Sequence, residues 1–364
     1  MAGALFFFGA GASAPFGIPT MQGMVTEFEK TIHGDSKSEE RLLYEEVCAF
    51  LNATLGRPTD LEAVFCVVES IKNWSPDRMG VAALYHATKL VRSRQAFEGV
   101  GAPTPPSADE VRIASSLEAD FERFVQHSCQ LKDGMSEKID SVYQNFFTQI
   151  SGPAGAQSPG PDGRHPFGDW PIFTTNYDAI LEHYWLDIAQ VQLNTGFGYN
   201  YVARMEVTSP ESFRSPGLRL FKLHGSITWL LDDRWGLTEQ RVPPEEMKTY
   251  TGRKFRGPGM LYPIEEKELY VEPYETMYLM LNRELAQRPR WIVIGYSFGD
   301  RIVRDIFERN SRRETTRLVL VHPRPQEIAS RLPGFKGTIR PVQARFGESD
   351  YSAVNESIRN ALLS

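Results

Sequence analysis

Residues 4–13 constrain the fold of this chain more than any other stretch. Residues 4–8 are Ala-Leu-Phe-Phe-Phe, an apolar run without a charge, and residues 9–13 are Gly-Ala-Gly-Ala-Ser. Such a run followed by a turn is typical of a central strand in a parallel sheet, buried on both faces. Gly9 and Gly11 lack a Cβ, so the backbone can turn tightly and approach a ligand. The turn either binds a phosphate through its N–H groups or only packs against its neighbours.

Composition excludes several classes of protein. The 364 residues are 41% hydrophobic and 24% charged, with a formal net charge of -6, so we expect a globular protein without direct nucleic-acid binding. The sequence contains three cysteines, Cys48, Cys66 and Cys129, which are too far apart for a zinc ribbon. We therefore expect no metal site. Sparse cysteines and the lack of any apolar stretch near 20 residues predict a cytoplasmic protein that does not cross a membrane.

Polar or glycine-rich motifs follow most of the predicted strands. After the strand at residues 4–8, we predict strands at 170–175, 219–223, 291–294, 317–321 and 338–342. The motifs after them are Asn176-Tyr177-Asp178, His224-Gly225-Ser226, Gly295-Tyr296-Ser297 and His322-Pro323. In a doubly wound α/β fold, the carboxyl ends of the strands share one edge, where ligands bind. The sequence therefore predicts one site assembled from these motifs.

The segment between the first two strands has a different pattern. Apolar residues recur at helical spacing from about residue 38 to residue 150, which predicts about five helices and no strand. We therefore predict a core formed by residues 1–34 and 151–364, with residues 35–150 as an all-helical insertion. The Gly- and Pro-rich segment 151–169 is a lid or a loop, and the aromatic-rich segment 227–263 has no clear assignment.

The residues at the strand ends suit the chemistry of a dinucleotide. Backbone N–H groups and hydroxyls of Gly9, Gly11, Ser13 and the Gly295–Ser297 turn could hold a pyrophosphate. The Asn176 amide could orient a ribose hydroxyl or a water molecule, and Asp178 could accept a hydrogen bond from an amide. An imidazole titrates near neutrality, so His224 could act as a general base.

Structural roles are the alternatives for the same side chains. Asn176 could be only a helix N-cap, and Asp178 only an acidic residue that the helix dipole favours in a first turn. His224 could be a turn residue with a satisfied hydrogen bond. Asp300 could simply begin a helix.

Five short motifs in this order resemble those of a known family. They are Gly9-Ala10-Gly11-Ala12-Ser13, Gly17-Ile18-Pro19, Thr175-Asn176-Tyr177-Asp178, Lys222-Leu223-His224-Gly225-Ser226 and Gly295-Tyr296-Ser297. The set resembles the Sir2 (sirtuin) superfamily and, more closely, its SIR2-like branch found in bacterial anti-phage defence. The resemblance extends over most of the chain.

The resemblance implies a fold, a ligand and residue roles. The fold would be a Rossmann-like parallel sheet with helices on both faces, and the helical insertion would replace the sirtuin zinc module. NAD would be the substrate, with Asn176 and His224 as catalytic residues. The residues implied to bind NAD are Gly9, Ala10, Gly11, Ser13, Pro19, Thr175, Asp178, Gly295, Ser297 and Asp300.

Two departures from the sirtuin pattern bear on the reaction. Deacylases of the superfamily carry a four-cysteine zinc module, which three cysteines cannot form, and they have Gln where this chain has Thr175. The defence branch is associated instead with hydrolysis of NAD to nicotinamide and ADP-ribose, which depletes the cell of NAD. Alternatives are a silent module that binds NAD or ADP-ribose, a protein deacylase, an ADP-ribosyltransferase, or a nuclease, for which the sequence shows no metal-binding carboxylate cluster.

The positions of the first strand and the last predicted helix lead to an expectation about regulation. They leave no room for a separate sensor domain, so we expect control by homo-oligomerisation or by another protein. In related systems the partner is a HerA-type ATPase, a short Argonaute or a nucleotide-sensing protein. The helical insertion would provide the contact surface.

Overall fold

The computed structural model of the chain describes residues 4–34, 38–55, 61–74, 85, 105–151, 170–199, 204–205, 210–214, 218–232, 236–239, 258–260, 272–312, 315–348 and 351–363. Contacts between Cα atoms divide the chain into two compact units. The sheet unit comprises residues 1–20, 129–261 and 265–364, and the helical unit comprises residues 21–128 and 262–264.

Twelve strands form two sheets in the sheet unit. They are β1 (Leu5–Phe8), β2 (Ile172–Thr174), β3 (Leu193–Asn194), β4 (Gly198–Tyr199), β5 (Arg204–Met205), β6 (Leu218–Lys222), β7 (Gly225–Asp232), β8 (Gly236–Glu239), β9 (Pro258–Met260), β10 (Arg290–Ile294), β11 (Arg317–His322) and β12 (Thr338–Gln343). The larger sheet has seven parallel strands in the order β12-β11-β10-β1-β2-β6-β3. Its topology confirms the predicted Rossmann-like α/β class.

The smaller sheet is antiparallel, with the strand order β4-β5-β8-β7-β9. Three of its strands, β7, β8 and β9, lie at least partly in the segment 227–263 that the sequence left unassigned. The two-residue strand β3 was not predicted either, because a strand this short leaves no alternating pattern.

Eleven α-helices are described. They are α1 (Ala10–Ser13), α2 (Met21–Gly34), α3 (Glu39–Phe50), α4 (Leu61–Lys72), α5 (Ala108–Ser128), α6 (Ser136–Ser151), α7 (Ile180–Glu182), α8 (Tyr274–Gln287), α9 (Arg301–Asn310), α10 (Pro325–Ala329) and α11 (Tyr351–Leu363). A π-helical turn, His183–Ile188, continues α7. Within the described residues, no helix is long and apolar enough to cross a membrane.

Helices cover both faces of the parallel sheet, and the central strand shows why. All four residues of β1 are fully buried, and their side chains alternate between the two faces. Phe6 packs against Phe146 and Phe147 of α6, whereas Phe7 packs against Phe307 of α9. The apolar run at the start of the chain therefore forms the centre of the core on both faces.

The helical unit has an aromatic core of its own. Phe28 of α2 contacts Phe65 of α4 and Phe121 of α5, and the rings of Phe65 and Phe121 stack with their centroids 3.6 Å apart. No strand occurs among the described residues of this unit. Its limits at residues 21 and 128 differ from the predicted 35 and 150. The difference arises because α6 belongs with the sheet unit and α2 with the helical unit.

Two predicted segments lie largely outside the described residues. One is the Gly- and Pro-rich segment 151–169, of which only residue 151 is described. The other is one of the helices predicted between residues 38 and 150, at about residues 81–90, of which only Tyr85 is described.

Candidate active site

Strand register aligns the predicted motifs at one edge of the parallel sheet. Phe8 lies beside Ile294 of β10 and Thr174 of β2, and Thr174 in turn lies beside Lys222 of β6. The four strands therefore end at the same level. The residues that follow them, including Asn176 and His224, start from neighbouring positions along this edge.

The two glycine turns of the site interlock. The N–H groups of Gly9 and Gly11 donate to the carbonyl oxygens of Ile294 and Gly295, each over 2.9 Å. A Cβ on Gly295, whose φ is +64°, would lie 2.5 Å from the backbone nitrogen of Ala12. Close packing of the turns thus accounts for the glycines, as one of the two readings proposed. Phosphate binding by Gly9 and Gly11 stays a prediction, since both N–H groups already donate within the protein.

The Asn176 side chain is held in one orientation. The residue is 8% exposed, and its Nδ2 donates to the carbonyl oxygen of Gly9 over 3.1 Å and to Ser13 Oγ over 2.8 Å. Exchanging the two ends of the amide would place Oδ1 against the Gly9 carbonyl, two acceptors facing each other. Oδ1 is itself buried and accepts no hydrogen bond from any of the described residues. A buried acceptor in this state is costly, and its need for a donor fits a bound ligand or water.

Asp178 is buried, two residues after Asn176. Its Oδ1 accepts a hydrogen bond from the N–H of Ile180 over 3.1 Å, as expected for an acid at the start of α7. Burial raises the pKa of Asp178 above its ordinary value, against the opposing effects of Lys222 and of a hydrogen bond from Ser13. Asp178 is thus connected through Ser13 to the Asn176 amide, an arrangement that the sequence did not predict.

His224 and Asp300 form a buried pair. The distance from His224 Nε2 to Asp300 Oδ2 is 3.0 Å, and both side chains are 6% exposed. Asp300 is also the N-cap of α9, because its Oδ1 accepts from the N–H groups of Ile302 and Val303 over 2.8 and 3.3 Å. Tyr278 OH donates to Oδ2 over 3.4 Å. The sequence predicted a helix start at Asp300, but it predicted neither the contact with His224 nor the role of Tyr278.

The other predicted binding residues differ in their exposure. Ala10, Pro19 and Thr175 are half-buried, and Ser297 is exposed, with its carbonyl oxygen accepting from Arg331 Nη1 over 3.2 Å. Their contact with a ligand stays a prediction. Across the described ranges, no group of three or more His, Cys, Asp or Glu side chains is arranged to hold a metal ion.

Residues 171–339 match the SIR2-like domain family. The matched segment includes Asn176, His224 and Asp300, and it begins after β1 and its glycine turn. No curated protein is significantly similar in sequence.

Solved structures of Sir2 proteins resemble the chain. One, from work on the mechanism and regulation of Sir2 enzymes, is 14% identical over 99% of this chain and 93% of that one, with a TM-score of 0.41. A mutant Sir2 homologue in complex with ADP-ribose is 12% identical over 99% and 92%, with a TM-score of 0.40. A Sir2 protein bound to a propionylated peptide is 10% identical over 100% and 94%, with a TM-score of 0.36.

Proposed function

We propose that this chain is an NAD glycohydrolase, which cleaves the bond between nicotinamide and ribose to give nicotinamide and ADP-ribose. The match to the SIR2-like domain and the order of the motifs support NAD as the substrate. The observation that carries the proposal is the Asn176 amide, which Gly9 and Ser13 hold in place and whose buried Oδ1 has no donor in the part of the chain that the structure describes. It lies at the sheet edge, near the His224–Asp300 pair.

The residues present fit a dinucleotide rich in hydroxyl groups. A ribose hydroxyl or an ordered water molecule would supply the donor that Asn176 Oδ1 lacks. An unsatisfied buried acceptor costs about 1–3 kcal/mol, so satisfying it contributes to binding. The exposed Ser297 side chain offers a hydroxyl donor for a phosphate.

The residues also fit the demands of the reaction. NAD supplies nicotinamide as a leaving group, and the departure leaves positive charge on the ribose. Cleavage of this kind needs stabilisation of the charge and a placed water molecule more than it needs a strong nucleophile. We assign Asn176 Oδ1 to orient the water or a ribose hydroxyl, and His224 to accept a proton from that group.

Protein deacylation is the second candidate within the same family. Three cysteines in the whole sequence cannot form a four-cysteine zinc module, and Thr175 stands where deacylases have Gln. Both features favour hydrolysis of NAD by water over transfer to a peptide.

We further propose that NAD depletion is the effector step of an anti-phage defence system. An uncontrolled NAD hydrolase would harm its host, so activity would depend on homo-oligomerisation or on a partner from the same operon. A HerA-type ATPase, a short Argonaute and a nucleotide-sensing protein are the candidate partners, and the helical unit is the proposed contact surface.

The test is release of nicotinamide from NAD, measured by chromatography, with and without the product of the neighbouring gene. His224→Ala and Asn176→Ala should each lower the rate at least 100-fold, the scale expected for loss of a general base. His183→Ala, at a partly exposed histidine of the π-helical turn, is the matched control and should retain the wild-type rate.

Other outcomes would reject the proposal. Binding of ADP-ribose without turnover in any mixture would indicate a silent binding module. Deacylation of an acetylated peptide at a rate above NAD hydrolysis would indicate a deacylase. Wild-type turnover by folded His224→Ala protein would contradict the assigned site.

A further inference from the structure

We propose that Asp300 is a positioning residue for His224. Its carboxylate keeps the proton of the neutral imidazole on Nε2, so that Nδ1 is the nitrogen that accepts a proton during the reaction. The role of Nδ1 in catalysis rests on the proposed function. The pairing itself, and the tautomer that follows from it, do not.

The segment between Gly295 and Asp300 links the ends of two separate strands of the site. This segment follows β10, whereas His224 follows β6, and the strands β1 and β2 lie between them. Neighbouring strands are about 4.8 Å apart, so β10 and β6 are separated by roughly 14 Å along the sheet edge. The segment of five residue steps and the two side chains that meet over 3.0 Å together bridge this separation. The segment thus brings a carboxylate to His224 from the far side of the glycine turn.

Backbone strain in the same segment indicates that its surroundings impose its conformation. Phe298 is fully buried and has a φ of +53°, which is rare for a residue with a bulky side chain. Its ring packs against Tyr296 and Phe307, with centroid distances of 5.0 and 5.1 Å. A conformation of this kind costs on the order of 1–3 kcal/mol and persists only where the surroundings impose it.

Hydrogen-bond donors surround the carboxylate of Asp300. Oδ1 accepts two backbone N–H groups, and Oδ2 accepts the Tyr278 hydroxyl. A carboxylate surrounded by donors acts as an acceptor toward His224 as well, so Nε2 must carry the hydrogen. The neutral ring then has its lone pair on Nδ1.

The groups around the pair support this protonation pattern. Burial and the Asp300 carboxylate raise the pKa of Tyr278 well above its ordinary value, so Tyr278 remains a donor at neutral pH. Tyr296 and Tyr177 are titratable side chains that also act electrostatically on Tyr278, and the centroid of the Tyr177 ring lies 6.4 Å from that of the His224 ring.

Capping of α9 does not explain the pair. The cap uses Oδ1 alone, and Ser or Asn would cap the helix about as well as Asp. Only Asp places a second, negatively charged oxygen against His224. Substitutions that keep the cap therefore separate positioning from capping.

Two such substitutions should lower the rate of nicotinamide release by different amounts. In Asp300→Asn the side-chain oxygen remains at the cap, so the amide NH₂ faces Nε2 and forces the proton onto Nδ1. In Asp300→Ser the ring loses its contact with the carboxylate, so the preference for the Nε2–H tautomer weakens. We expect nicotinamide release to fall at least 100-fold in Asp300→Asn and about 10-fold in Asp300→Ser, since fixing the wrong tautomer removes the base.

The direct measurement is the tautomer of His224 by ¹⁵N NMR on the full chain. The wild type should show Nε2–H and Asp300→Asn should show Nδ1–H. The titration midpoint of His224 should move to lower pH in Asp300→Ser, because the neighbouring negative charge is lost. Asp305→Asn, at an exposed carboxyl on the same helix, is the matched control and should change none of these readouts.

The possible contrary results separate failure of the positioning role from failure of the proposed function. An Nδ1–H tautomer in the wild type, or equal losses in the two Asp300 variants, would overturn the positioning role even if NAD is hydrolysed. A higher KM with an unchanged tautomer would instead assign Asp300 to ligand contact. The expected tautomers without NAD turnover in the wild type would reject the proposed function and leave the pairing intact.

Discussion

Two buried ion pairs involve residues at the carboxyl end of β6, and they differ in the chemistry that they allow. Lys222, the last residue of β6, donates to Glu182 Oε1 over 2.7 Å and also to the carbonyl oxygen of Asp178. His224, two residues further, pairs with Asp300 over 3.0 Å. An ammonium keeps its charge throughout the physiological range, whereas an imidazole can gain and lose a proton within it. The first pair therefore suits a structural role and the second suits catalysis.

The surroundings of the two pairs lead to the same distinction. Lys222 connects β6 to Glu182 of α7 and to the backbone of Asp178, two residues before that helix, and its side chain is 1% exposed. The His224 pair instead lies at the carboxyl ends of the parallel strands, where ligands bind in folds of this class. Among the described residues a buried acceptor without a donor accompanies both pairs, Glu182 Oε2 in the first and Asn176 Oδ1 near the second, so neither a buried charge pair nor such an acceptor is strong evidence of function on its own. The imidazole and its place at this edge distinguish the site.

The largest expected effect is on the structural pair. Lys222→Met should lower the free energy of unfolding by about 3–5 kcal/mol, because Glu182 then stays buried without its partner. Chemical denaturation would measure the change. The double variant Lys222→Met/Glu182→Gln should recover part of the loss. If Lys222→Met costs nothing in stability but stops nicotinamide release, the assignment of the two pairs to structure and catalysis is wrong.

The next effect concerns the support of Asn176. Ser13→Ala removes the hydroxyl that accepts from Nδ2 over 2.8 Å and leaves the contact with Gly9. We expect about a tenfold lower rate of nicotinamide release, the equivalent of roughly 1.4 kcal/mol, since the amide is held by one bond instead of two. Asn176→Ala should cost more. Equal losses in both variants would mean that Ser13 does more than hold the amide.

The sequence was sufficient to predict the edge of the sheet but not the pairs that form across it. The strand ends were predictable because apolar runs stop at Gly9, Asn176, His224 and Gly295, and parallel strands end together. His224 and Asp300 are 76 residues apart, and their contact depends on the strand order. Periodicity carries no information about that order.

Local chemistry limited the remaining predictions in a similar way. In the sequence, an acidic residue at the start of a helix, such as Asp178, gives the same pattern whether its side chain faces a ligand or is buried next to Ser13. Its burial is set by packing from distant parts of the chain. The strand β7 begins directly after His224, at Gly225, whose φ is +84°. The chain therefore passes from one sheet to the other too sharply for a hydrophobic pattern to reveal it.

A smaller effect should follow from Tyr278→Phe. The variant removes the hydroxyl that donates to Asp300 Oδ2 over 3.4 Å and keeps the ring in the core. Because this bond is long and His224 retains its own contact, we expect a two- to fivefold lower rate, roughly 0.4–1 kcal/mol. The His224 tautomer should not change. A loss as large as that of Asp300→Asn would show that Tyr278 has a role beyond holding the carboxylate.

The smallest effect concerns Asp178 and appears as a pH dependence of stability. Because burial raises the pKa of Asp178, the folded protein binds this proton more tightly than the unfolded chain does. The proton-linked stability is complete below the ordinary pKa of about 3.9 and is lost as pH rises through the folded value. Asp178→Asn lacks this titration, so it should gain stability relative to the wild type as pH rises through that window. Denaturation of both proteins at a series of pH values would measure the difference, and a difference that does not vary with pH would contradict the assigned burial of the charge.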